Sequence, residues 1–108
     1  MTVAIYEDNL LWGPRLAKTV TAFGHEALMA RTAEVMTADV AIVNLSSSGF
    51  PVAELVPKLK AAGIKVIAHA GHKETELHAA GRNLGCDYLA TNSEITHKLP
   101  QILETFSI

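Results

Sequence analysis

Asp39-Val40-Ala41-Ile42-Val43-Asn44-Leu45-Ser46-Ser47-Ser48-Gly49 is the stretch on which the reading of the fold turns. Residues 40–43 are uniformly apolar and rich in β-branched side chains, and no polar residue alternates with them. A strand with one face in water alternates; a strand covered on both faces does not. The polar run that follows, ending in glycine, reads as a turn. Phe50-Pro51 then opens a helix, since proline is tolerated in a first turn where no N–H partner is needed. Strand, turn and helix together make half of a βα unit.

The same signature repeats outward in both directions. Thr2-Val3-Ala4-Ile5-Tyr6, Glu26-Ala27-Leu28-Met29-Ala30, Lys65-Val66-Ile67-Ala68-His69 and Asp87-Tyr88-Leu89-Ala90 are the other short apolar runs. Between them lie helical spacings. Leu16, Val20 and Phe23 fall at i, i+4 and i+7, with Gly24 placed as a C-cap glycine. Val52, Leu55, Val56 and Leu59 make a second stripe, ending at Ala61-Ala62-Gly63. Leu77, Ala80, Gly81 and Leu84 make a third, closed by Gly85, and Ile95, Leu99, Ile102, Leu103 and Phe106 a fourth. Residues 32–37 predict a further helix of about two turns. Five βα repeats predict a single α/β domain over residues 1–108, with no output domain appended. Right-handed crossovers and this length favour a doubly wound, flavodoxin-like parallel sheet in the order 2-1-3-4-5.

Composition bounds the function classes. A chain of 108 residues holds one core, and 49% hydrophobic against 19% charged residues excludes a disordered tail. A net charge of −2 gives no basic footprint, so neither nucleic acid nor an anionic membrane is expected as a partner. Apolar runs of about five residues fall far short of a membrane span. A single cysteine, Cys86, excludes an internal disulfide and fits a reducing, cytoplasmic setting.

In an open α/β sheet, function gathers at the carboxyl ends of the strands. There the sequence delivers Glu7-Asp8-Asn9, then Asn44 to Gly49, then His69-Ala70-Gly71-His72, then Thr91-Asn92-Ser93. Tyr6-Glu7-Asp8-Asn9 is similar to the acidic pair that opens the receiver domain of bacterial two-component response regulators, the CheY-like family. The stretch from Ala38 to Gly49 resembles the receiver's third strand and loop, and Gly85-Cys86-Asp87-Tyr88-Leu89 its turn into the fifth strand. The resemblance covers essentially the whole chain. It implies an aspartate after the third strand that accepts a phosphoryl group, an acidic pair that holds Mg²⁺, a switch hydroxyl after the fourth strand, and a lysine after the fifth.

Only the acidic pair matches, as Glu7 and Asp8. Asn44 stands at the acceptor position, Ala70 at the switch position and Asn92 at the lysine position. A carboxamide is a poor nucleophile and cannot become an acyl phosphate. The expectation is therefore a degenerate pseudo-receiver: no enzyme, no cofactor beyond weak Mg²⁺ at Glu7 and Asp8, and an action through protein contact. The resemblance places that contact on the last strand and helices, with a second copy of the chain as one candidate partner.

Several residues carry rival readings. Glu7, Asp8, Asn44, His69 and His72 together offer nitrogen and oxygen ligands for a small ligand or a transition metal. Against this, His69, His72, His78 and His97 read equally as surface histidines. Repulsion between the neighbouring carboxylates Glu7 and Asp8 predicts one raised pKa. Ser46 to Gly49 with Gly71 offers either an anion cradle or helix-capping hydroxyls. Leu10, Leu11 and Trp12 offer a partner patch or a cover for the first helix, and Cys86 reads as packing.

Overall fold

Every residue of the strand Val40–Asn44 is buried, as its unbroken apolar run requires. The computed structural model describes residues 1–107. In chain order the elements are β1 (Thr2–Tyr6), α1 (Trp12–Ala22), β2 (Glu26–Met29), β3 (Val40–Asn44), α2 (Val52–Ala61) and β4 (Lys65–Ala70). They continue with α3 (Thr75–Asn83), β5 (Tyr88–Thr91), α4 (Asn92–His97) and α5 (Leu99–Phe106). The strands form one five-stranded sheet in the order β2-β1-β3-β4-β5, each pair parallel, as the βα alternation predicts.

Strand side chains alternate between faces, and the alternation divides the core. Val3, Ile5, Val40, Ile42 and Ile67 pack on one face with Leu16 and Val20 of α1 and Leu99, Ile102 and Leu103 of α5. Ala4, Tyr6, Ala41, Val43 and Val66 pack on the other with Leu55, Val56 and Leu59 of α2. Gly24 and Gly63, after α1 and α2, adopt φ of 84° and 79°, a region open to glycine but costly for a residue with a Cβ.

Three expectations are corrected. Residues 32–37 form no helix; the chain between β2 and β3 is irregular. It is tied down instead by Tyr6, whose hydroxyl donates to the Glu34 carbonyl (2.6 Å) and accepts the Met36 N–H (3.3 Å). Of residues 32–37 only Ala33 and Met36 pack against the core, too few to bury a helix stripe. The last helix is two helices, because Pro100 has no N–H to continue α4 and sits comfortably in the first turn of α5. Phe23 lies outside α1 as its C-cap residue and is exposed rather than part of the buried stripe. Among the described residues no helix is long and apolar enough to cross a membrane.

Candidate functional site

The alternation that sorts the core also sorts the rim. Glu7 continues the face of Val3 and Ile5, Asn44 that of Val40 and Ile42, and His69 that of Ile67. The register makes Asn44 and His69 direct neighbours on β3 and β4. Three polar side chains are thereby driven into one apolar-walled pocket at the carboxyl end of the sheet. Glu7 is 5% exposed, Asn44 5% and His69 0%.

Buried polar groups must find partners, and these find one another. Glu7 Oε2 accepts the Asn44 Nδ2–H at 2.8 Å and the Asn9 backbone N–H at 3.2 Å. Glu7 Oε1 lies 3.1 Å from His69 Nε2, and because a carboxylate only accepts, Nε2 is the donor. His69 Nδ1 faces the Asn92 carboxamide at 2.8 Å, a group that can meet a protonated or a bare nitrogen by turning its amide over. Asn44 Oδ1 is filled from its own loop, accepting the Ser46 N–H (3.0 Å) and hydroxyl (2.7 Å).

The first turn of α1 roofs the pocket. Asn9 Oδ1 accepts the N–H groups of Leu11 (2.9 Å) and Trp12 (3.0 Å), satisfying donors that a helix start leaves free. Trp12 then lies beside His69 with ring centroids 5.6 Å apart and planes inclined at 59°. A side chain at Gly13 would come within 3.0 Å of the Met29 methyl, so that turn sits close against β2.

Glu7 and Asp8 do not act as a pair. Asp8 follows on the opposite face, is exposed, and accepts the Gly49 N–H at 2.9 Å. That hydrogen bond holds the Asp8 carboxyl below the usual carboxylate range, the reverse of the repulsion expected. The same bond uses the Gly49 donor, so the Ser46–Gly49 turn is closed on the protein's own carboxylate rather than opened as a cradle. Ala70 also falls on the far face, packed with Leu45 and Ala68. His69 is the β4 side chain that reaches the network.

His72 is exposed on the following turn, away from His69, and the reading of His69 as a surface histidine is corrected by its complete burial. Among the described residues no group of three His, Cys, Asp or Glu side chains is placed to hold a metal ion. The Mg²⁺ implied by the resemblance does not fit this donor set: both Glu7 oxygens are engaged, Asn44 is neutral, and its oxygen is already filled. Cys86 is half-buried among Leu84 and its neighbours, and burial pushes its thiol up to about 11, consistent with packing rather than reactivity. Of the set Glu7, Asp8, Asn44, His69 and His72 grouped from the sequence, the structure brings Glu7, Asn44 and His69 together and leaves Asp8 and His72 outside. Sequence reasoning missed that Glu7 and His69 bond to each other. The one signal was a histidine set in the otherwise apolar run of β4.

No protein-family model matches the chain, and no curated protein does. Solved structures do. A response regulator receiver domain protein (CheY-like) from Methanospirillum hungatei JF-1 is 21% identical over 97% of this chain and 92% of that one, with a TM-score of 0.79. A response regulator receiver protein from Burkholderia phymatum is 13% identical over 99% and 95%, with a TM-score of 0.81. NtrX from Brucella abortus is 15% identical, with a TM-score of 0.79; the match covers 97% of this chain but only 28% of that longer one. The fold of this chain is the receiver fold of response regulators.

Proposed function

We propose that the chain is a receiver-like signalling or scaffolding module that takes no phosphoryl group at the end of its third strand and acts by protein contact in the cytoplasm. The observation that carries this reading is Asn44. A neutral carboxamide stands at the end of β3, donating to Glu7 and accepting from Ser46, with neither charge nor lone pair free for attack on phosphorus. No ammonium stands opposite: the residue facing the pocket from the start of α4 is Asn92, which binds His69. Phosphoryl transfer depends on neutralising charge, in part with a lysine, and no lysine lies between Lys73 and Lys98 to supply it.

The module is not an enzyme and needs no cofactor. Its partner is another protein, a second copy of the chain included, met on the face built from β5, α4 and α5. The test is incubation with acetyl phosphate and Mg²⁺, followed by intact mass and by sizing with light scattering. An unchanged mass is expected. A gain of one phosphoryl group that disappears in Asp8→Asn would overturn the reading by showing that an unorthodox acceptor operates.

A further inference from the structure

We infer that His69 is a resident plug, its imidazole filling the strand-end pocket where a cation would otherwise sit, so that the pocket stays closed to Mg²⁺ even when the missing carboxylate is restored at position 44. This rests on the reading above and goes beyond it: the chain departs from metal binding twice, by losing a charge at Asn44 and by gaining an occupant at His69.

Three observations support the occupant. The ring is fully buried and donates to Glu7, among the described residues the one carboxylate that meets it; Asp8 points away to Gly49. Its other nitrogen is held by Asn92, so the ring spans the pocket from the end of β1 to the start of α4. Trp12 lies at its side with the two rings tilted, so an indole and not open space borders that flank of the imidazole. Mg²⁺ demands near-octahedral oxygen ligands and keeps several waters when bound. An imidazole wedged between a carboxylate and a carboxamide, under an indole, leaves those waters no place. Asn44 donates to Glu7 Oε2 while His69 donates to Oε1, so Asn44→Asp would set a second carboxylate against Glu7 and leave His69 its own oxygen.

The chain's single tryptophan lies beside the plug and reports on it. Trp12 fluorescence is titrated with MgCl₂ in the native protein, in Asn44→Asp, and in Asn44→Asp combined with His69→Ala. A saturable change is expected in the double variant alone. A response of Asn44→Asp matching that of the double variant, or a folded double variant that stays silent, would overturn the inference. Since the double variant could fail to fold, the ring nitrogens of His69 are also followed by ¹⁵N NMR in the native protein. Their resonances should stay fixed as MgCl₂ is added, and a saturable shift would equally refute the plug. A Mg²⁺ response of the native protein without a mass gain from acetyl phosphate defeats only this inference, whereas the mass gain defeats the functional reading.

Discussion

At the scale of single residues, the Glu7–His69 contact decides most. Both side chains are fully buried, and each supplies the other with one of the hydrogen bonds that replace lost water. Removing one partner of such a pair strands the other, so His69→Ala should destabilise the fold by about 3–5 kcal/mol in urea unfolding. Removing both, as Glu7→Met with His69→Leu, should cost less than the sum of the two single changes, because neither member of the pair is then left buried without the other, although Asn44, Asn9 and Asn92 each lose a partner. A strictly additive double-mutant cycle would contradict that. The neutrality of Asn44 was legible in the sequence, since one position after a recognisable strand suffices to name it. The partner of Glu7 was not. It lies 62 positions away, and a histidine within an apolar strand reads as well for a satisfied core residue as for a surface one.

At the scale of elements, four helical stripes and five strands were legible because their apolar periodicities are long enough to stand above chance. The missing helix before β3 and the divided last helix have different causes, the first tertiary and the second local. Residues 32–37 carry some helical character, yet the buried Tyr6 hydroxyl offers Glu34 and Met36 irregular partners at the sheet. Tyr6→Phe removes both of those hydrogen bonds while keeping the ring against Phe50. It should cost about 1 kcal/mol and hasten tryptic cleavage after the exposed Arg31, read by gel against time. Unchanged cleavage would mean the segment is held by Ala33 and Met36 alone. The stripe from Ile95 to Phe106 is real, but Pro100 divides the backbone beneath it, and spacing alone does not register that division.

At the scale of the whole molecule, one carboxylate ties three parts together. Burial alone would raise the Asp87 carboxyl, but the Lys60 ammonium from α2 (2.8 and 2.7 Å) and the Val66 N–H of β4 (2.8 Å) hold it below its ordinary value. A folded pKa lower than the unfolded one gives stability that is complete above the unfolded value. That stability is lost as pH falls through the folded one. The loss therefore begins below about pH 4, near the unfolded aspartate value. Asp87→Asn should flatten this acid limb in urea midpoints measured against pH, while leaving their shape near neutrality unchanged. An acid limb as steep as that of the native chain would remove Asp87 from the account. The sheet order was legible because right-handed crossovers leave few arrangements; this clasp was not, because Lys60 and Asp87 meet only once α2 has docked.

The helix-free passage from β2 to β3 has a topological consequence. It is the one crossover whose severing would divide the chain into a short piece carrying β1 and β2 and a long piece carrying β3 to β5. Yet β1 lies in the interior of the sheet, with β2 on one flank and β3 on the other. The short piece would keep β2 and β1 and the long piece the central β3 with β4 and β5, so each half would carry an unpaired edge where β1 meets β3. A cut at that bend would leave the two pieces to hold together through the single parallel seam of β1 and β3 and through α1 against α5, with no covalent chain between them.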